Sequence, residues 1–476
     1  MSAAELDAVV VGAGPNGLAA AVLLAERGRS VLVVEAESEI GGGCRTAELT
    51  LPGFRHDVCA SVLPFSEGSP FFRHMGATGA MPELIQPPAA LAHPLDGGDA
   101  VLVERSVDRT AAALGADERR YRTAFDWLVR NNDAILDQFL GPLRAPRHPV
   151  SIAAFGLPSL LPARTLARVA FRTDRARALF GGMAAHSMMS LDEVASAGVG
   201  VVLGMLAHAV GWPVVRGGSA AVTTALADRL RSLGGTIETG RPVSSLAGLP
   251  SSRVVLLDLM PAAVARVCGD ALPAGYRDRL LAYRLGPGVF KLDWALDGPI
   301  PWSNPGCARA ATVHLGGSLD EVAASEAAVH AGHHSPRPFV ILIQPSLFDD
   351  SRAPAGKHTA WAYCHVPNGS TLDRTDVIEE QVERFAPGFR DRVIGRSAMD
   401  TAAMEGHNAN LVGGDINGGA FTLRQIFARP VARVSPHTTP NPRLFLCSAA
   451  TPPGGGVHGM CGWWAARAAQ RRLDKA

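Results

Sequence analysis

Gly12-Ala13-Gly14-Pro15-Asn16-Gly17 and, 18 residues further on, Glu35 are the first residues whose types and spacing imply chemistry. Gly12 allows a tight turn, Gly14 lets the backbone approach a pyrophosphate, and Gly17 lets a following helix pack closely on a sheet. The free N–H groups at the start of that helix, with about half a positive charge, attract phosphate. A carboxylate at Glu35 accepts both hydroxyls of a ribose and disfavours a 2′-phosphate. The flanking sequence supplies the elements this needs. Leu6–Val11 reads as a buried strand, Leu18–Arg27 as an Ala- and Leu-rich helix closed by Gly28, and Ser30–Val34 as a second strand. Gly12, Gly14, Pro15, Asn16, Gly17, Glu35 and Ala36 are therefore expected at a nucleotide.

Two further glycine clusters choose the nucleotide. Gly41-Gly42-Gly43 leads to Cys44-Arg45 just after the second strand. Such glycines let the chain pass beside a long cofactor, and Arg45 can pair with its phosphates. This extension is the one seen in FAD folds. Near the other terminus, Arg443–Cys447 reads as a strand, Gly454–Gly459 as a turn and Met460–Arg472 as a helix. By pattern alone this is a second dinucleotide turn. Residues 460–476 leave no room for another strand and ribose-binding acid, so the turn is read as the far end of the same FAD site. A helix start there would face the flavin N1 and C2 carbonyl and stabilise the charge of the reduced ring.

Composition narrows the class. A chain of 476 residues exceeds one ordinary core, so two domains are expected. Net charge is +1, which argues against a nucleic-acid footprint. Arg164, Arg168, Arg172, Arg175 and Arg177 read as the solvated face of a helix. Only three of the 45 basic residues are lysines, which suggests a GC-rich bacterial genome. The seven cysteines include no C-x-x-C pair, against a dithiol centre or structural zinc and in favour of a reducing cytoplasm. The N-terminus has no basic stretch of a signal peptide. Val194–Trp212 lacks formal charge, but its Gly and Ala content makes it a buried helix rather than a membrane span. Residues 152–171 read as an amphipathic helix, with contact to a bilayer surface as the alternative.

The middle of the chain returns to the first domain. Arg216–Ser219 precedes a helix over Ala221–Leu233, Gly234-Gly235 ends it, Thr236–Thr239 is a strand, and Arg253–Asp258 is an apolar strand. With these, Gly12–Gly17, Gly41–Arg45, Gly217-Gly218 and Pro453–Met460 together resemble the phytoene desaturase family, within the amine-oxidase-like FAD superfamily. The resemblance spans essentially the whole chain. Phe290–Leu296 with Pro301-Trp302, and Gly413–Ile416, resemble its phytoene-dehydrogenase-like branch. It implies an α/β protein, a Rossmann-type FAD-binding domain with an inserted mixed α+β substrate domain. The FAD domain would comprise residues 1–75, 210–270 and 435–476, and the substrate domain residues 76–209 and 271–434. By the same resemblance Gly12, Gly14, Gly17, Glu35, Gly42, Gly43, Arg45, Val243, Val457, His458 and Met460 contact FAD, Val243 through its backbone at the adenine. Arg55-His56-Asp57 and Ala60-Ser61 would lie under the flavin.

The implied chemistry is dehydrogenation or desaturation of an apolar small molecule, with O2, a quinone or a carrier as electron acceptor. A carotenoid is not implied, because the branch is chemically diverse. Two catalytic candidates follow. Lys291 shares a strand face with Asp293, opposite Phe290, Leu292, Trp294 and Leu296. It resembles the amine-oxidase lysine that holds a water at flavin N5; a solvent-facing Lys–Asp pair is the alternative. His458 could titrate near neutrality beside the flavin, with a packing histidine whose backbone alone matters as the alternative. His365, Glu405 and His407 are further candidates. His330, His333 and His334 read as an exposed loop rather than a metal site. Redox-neutral isomerisation and a non-catalytic binding role, as in the Rab GDP-dissociation inhibitors of similar fold, are the alternative functions.

Overall fold

Alternation along Leu6–Val11 sends Ala8 and Val10 into one apolar core and Val9 and Val11 into another. Strands apolar on both sides pair in parallel, with helices covering both faces. In the computed structural model, which describes residues 5–475, this strand is the middle of a five-stranded parallel sheet. The order is Leu444–Leu446, Ser252–Leu257, Leu6–Val11, Val31–Val34, Thr236–Glu238. Its strands thus come from three separate stretches of chain. Helices Pro15–Ala25, Ala220–Ser232 and Met460–Leu473 cover one face, and Pro261–Cys268 with Ala274–Leu281 cover the other.

The Pro15–Ala25 and Met460–Leu473 helices touch through backbone at their first turns. A Cβ on Gly462 would run into the Asn16 carbonyl oxygen, and a Cβ on Gly17 into the Gly12 carbonyl oxygen. Only glycine allows either approach, so both helix starts are brought to one end of the sheet.

A second, seven-stranded sheet runs Val393–Met399, Gly288–Leu296, His358–Val366, Val340–Ile343, Ala310–Leu315, Ala89–Pro94, Ala100–Glu104. All neighbours are antiparallel except Ala310–Leu315 with Ala89–Pro94. Period-two alternation divides its faces. Leu292, Trp294, Ala362, Leu342 and Val313 pack under the Thr375–Phe385 helix. Lys291, Asp293, Trp361, Tyr363, Ile341, Ile343 and Thr312 alternate with them and face the other way.

A helical layer completes the second unit. The charge-free stretch is a buried helix, Ala197–Ala209, where a Cβ on Gly204 would stand 2.6 Å from Phe125. Residues 152–171 are not one amphipathic helix. They form Pro149–Ser159 and Ala163–Ala170, bent by 105°. Pro162 breaks the run, since it lacks an N–H and disfavours helix for Leu161. Val150, Leu157, Leu161 and Val169 are exposed on this bend. Among the described residues no single helix is long and apolar enough to cross a membrane. The arginines here are surface partners of acids: Arg164 and Arg168 each reach Asp320 at 2.8 Å, and Arg175 pairs with Asp99.

The helix contact gives a direct test. Gly462→Val is expected to destabilise the protein by about 3 kcal/mol through overpacking. Urea unfolding measures it, and an unchanged midpoint would show that the two helix starts do not touch.

Candidate active site

Ligands of open α/β sheets sit beyond the carboxyl ends of the strands. There a continuous cleft of about 670 Å³ runs between the parallel sheet and the Trp361-bearing face of the second sheet. Of the expected cofactor residues, Gly12, Gly14, Pro15, Asn16, Glu35, Ala36, Gly42, Gly43, Arg45, Val243, Val457 and His458 line it. Gly17 and Met460 lie one layer behind. Gly17 serves helix packing, and the Met460 N–H donates to His458 Nδ1 at 3.0 Å.

The residues fit FAD. A Cβ on Gly42 would stand 3.1 Å from the Gly14 Cα, so glycine at both positions lets the two turns meet and presents backbone rather than side chains to a pyrophosphate on the cleft wall. Glu35 accepts the Ala13 N–H at 2.7 Å and the Glu37 N–H at 3.0 Å. A carboxylate has lone pairs for about four donors, so ribose hydroxyls can still be accepted. Arg45 differs from expectation. Its guanidinium donates to the carbonyls of His407 and Glu39, both at 2.9 Å. It staples two loops beside the cradle and stands 3.9 Å from Glu35, so it adds positive field rather than a free bidentate clamp.

Sequence reasoning missed Asp258. This acid ends the Ser252–Leu257 strand beside the glycine turn, and its Oδ2 accepts the Gly17 N–H at 2.9 Å. Burial pushes its carboxyl up to about 7; the Gly17 bond opposes the rise and the charge of Glu35 adds to it. The available signal was a carboxylate closing an apolar strand next to the nucleotide strand.

Both catalytic candidates are buried and bonded within the protein. His458 is buried, and its Nε2 lies 3.2 Å from the Gly454 carbonyl, so that nitrogen carries the hydrogen. Nδ1 accepts from Met460. Burial lowers its pKa to about 4. It is a neutral cap on the Met460–Leu473 helix, with no nitrogen left to move a proton. Lys291 is neither solvent-facing nor on the cleft wall. It is 1% exposed, pairs with Asp293, and sits 4.7 Å from the centre of the Trp361 ring.

The remaining candidates are bonded elsewhere. His365 meets Glu326 at 2.8 Å, Glu405 accepts the Gly413 N–H at 2.7 Å, and His407 serves Arg45 through its carbonyl. His330 pairs with Glu193 and His334 with Ser370. His56 lies 3.4 Å from Asp293. Asp57 holds Arg352 at 3.0 Å and the Ser219 N–H at 2.8 Å behind the wall, whereas Ala60 and Ser61 line the cleft. The cleft's far end is apolar and aromatic, with Phe65, Phe139, Leu203, Trp212, Ile341 and Tyr363. That half follows from tertiary packing and had no local signal.

Residues 10–75 match the model of a family described as an NAD(P)-binding Rossmann-like domain. The chain is 27% identical to pyridine nucleotide-disulfide oxidoreductase domain-containing protein 2 of Rattus norvegicus, across 98% of this chain and 94% of that one. It is 29% identical to the phytoene dehydrogenase of Streptomyces griseus, across 81% of this chain and 77% of that one. A solved oxidoreductase from Methanosarcina mazei shares the fold, with a TM-score of 0.66 at 17% identity over 96% of this chain and 98% of that one. These similarities support an oxidoreductase of the FAD-binding superfamily, and FAD is the cofactor the cleft accommodates.

Two outcomes test the site. Ionised Asp258 opposes a pyrophosphate, and its pKa of about 7 places the change between pH 6 and 8. Affinity for FAD, followed by flavin fluorescence, is expected to fall roughly tenfold over that range as Asp258 loses its proton. Asp258→Asn should flatten the dependence, and a profile identical to wild type would remove Asp258 from the site. Separately, Lys291→Met strands a buried carboxylate and should cost about 3–5 kcal/mol in guanidinium unfolding. Adding Asp293→Leu should recover most of that loss.

Proposed function

We propose that the protein is an FAD-dependent dehydrogenase or desaturase acting on an apolar organic molecule. The observation that carries this reading is a single cleft that joins the phosphate-binding turn and a second helix start to an aromatic, apolar wall. When bound, the flavin supplies a hydride acceptor. The chain's own residues position and desolvate. Gly14, Gly42 and the start of the Pro15–Ala25 helix hold phosphate, Glu35 holds ribose and Val243 backs the adenine. The start of the Met460–Leu473 helix, fixed by His458, directs its positive end toward the redox-active part of the cofactor. Phe65, Phe139 and Trp212 exclude water around the substrate. His458 and His186 on the wall are both held neutral by burial, at about 4 and about 3. Neither imidazole offers a ready proton, which suits removal of hydride from a C–H bond.

The acceptor in this reading is O2, a quinone or a carrier. The exposed bend at Val150–Val169 supports drawing substrate from a bilayer, because Phe155 on it packs at 6.5 Å against Phe139 of the cleft wall. On this reading the protein works in the cytoplasm, in contact with such a surface.

The purified protein is expected to be yellow, with absorption near about 450 nm. A colourless protein that takes up no FAD would overturn the reading in favour of a binding role on the same fold. Under anaerobic conditions a substrate should bleach this band as a more unsaturated product forms. Conversion to an isomer with the band intact would identify an isomerase instead.

A further inference from the structure

The apolar end of the cleft carries a polar atom whose hydrogen-bonding role the fold dictates. His186 lines the wall, and its Nε2 meets His314 Nε2 at 2.9 Å. Its Nδ1 has no partner among the described residues, and unlike the Nδ1 atoms of His93 and His314 it is not sealed from accessible space. Burial lowers the pKa of this imidazole to about 3, so the space that Nδ1 opens to is the cleft and not bulk water. A neutral imidazole donates through one nitrogen and accepts through the other, and the partners decide which.

The decision starts at a backbone carbonyl. His93 Nε2 lies 2.7 Å from the Gly317 carbonyl oxygen, which can only accept, so this nitrogen holds the hydrogen. Burial keeps His93 neutral, its pKa lowered to about 4, so its Nδ1 is a lone pair. His93 Nδ1 and His314 Nδ1 converge on Gly182, where a Cβ would stand 2.8 Å from each. Both nitrogens are buried without another partner among the described residues. Two lone pairs aimed at one point repel, whereas a hydrogen on one is attracted to the lone pair of the other. His314 therefore carries its hydrogen on Nδ1 and accepts at Nε2. His186 then donates through Nε2, which leaves the lone pair of its Nδ1 facing the cleft.

The surroundings define what this acceptor can meet. Among the described residues no carboxylate lines this end of the cleft; Glu35, Glu37 and Asp258 belong to the nucleotide end. An ammonium seated here would be an uncompensated buried charge. A ketone would set its oxygen against the Nδ1 lone pair. Thr312 and Tyr363 line the same wall, but a hydroxyl either donates or accepts, so neither separates an alcohol from a ketone.

We infer that His186 Nδ1 is a fixed hydrogen-bond acceptor for a hydroxyl on an otherwise hydrocarbon substrate, with His314 and His93 as the residues that position its lone pair. The inference rests on the proposed function and sharpens its substrate class. It makes His186 a determinant of specificity that selects an apolar alcohol over the matching ketone.

Menthol and menthone test it, because they differ only by a hydroxyl in place of a carbonyl on one saturated ring. Binding of each to the FAD-loaded protein is read from perturbation of the flavin spectrum. A wall without a fixed acceptor holds the two alike. Menthol is instead expected to bind about tenfold tighter, the effect of one satisfied buried hydrogen bond. His186→Phe should weaken menthol to the level of menthone, leave menthone unchanged and retain the flavin band. The tautomer is read separately, by nitrogen NMR of histidine-labelled wild-type protein with signals assigned through their loss in His186→Phe. The Nδ1 of His186 should carry no hydrogen. Four results overturn the inference: menthone binding as tightly as menthol, no binding of menthol, a hydrogen on His186 Nδ1, or a phenylalanine variant that weakens both probes alike. A protein without the flavin band would instead overturn the proposed function, so the two failures are distinct.

Discussion

The contact between the backbones of two helix first turns governs this molecule. Asn16 and Gly462 lie 446 positions apart in the chain, yet a single Cβ at 462 would force the helices apart. Because each helix also follows directly on a strand or turn of the parallel sheet, the contact fixes where both positive helix ends open. A second constraint of the same kind, Gly17 against Gly12, holds the first helix down on the strand that feeds it. Three chain segments are thereby assembled into one site by groups that contribute no chemistry of their own.

Electrostatics at the nucleotide end is a balance rather than an accumulation of positive charge. The helix start and Arg45 favour phosphate, while Glu35 and Asp258 oppose it. Glu35 keeps its charge useful by accepting backbone N–H groups and remaining available to hydroxyls. Asp258 is different. Among the described residues its carboxylate accepts from the Gly17 N–H alone, and burial raises its pKa into the physiological range. The same residue that helps seat the helix therefore couples the phosphate cradle to solvent protons.

Legibility in the sequence follows the range of the interactions. The nucleotide half was readable because each part is local: a glycine turn between a strand and a helix, an acid at the next strand tip, and a glycine loop after it. The boundaries of Leu6–Val11 and the helix over Met460–Leu473 emerged within a residue or so for the same reason. The face division of Gly288–Leu296 was also legible, since strand alternation is a local rule, but the burial of Lys291 was not. That depends on Trp361 and Asp293 closing over it from within the sheet. His458 misled because its residue type suggests titration, whereas its environment is set by the Gly454 carbonyl and the Met460 N–H. The substrate half gave no signal at all. Trp212, Phe139, Ile341 and Tyr363 belong to four unrelated stretches, and only packing brings them together.

Four pairs of buried polar groups share one arrangement. Lys291 is bound to Asp293, Asp57 to Arg352, His365 to Glu326 and His186 to His314, and each pair stands at or just behind the cleft wall. Paired charges and neutral imidazoles in a low-dielectric interior hold side chains in fixed orientations, because breaking any pair leaves an uncompensated group. A site so constructed gains its power from geometry: it fixes one face of a cofactor against one face of a substrate and keeps water out. Hydride transfer needs little more from a protein.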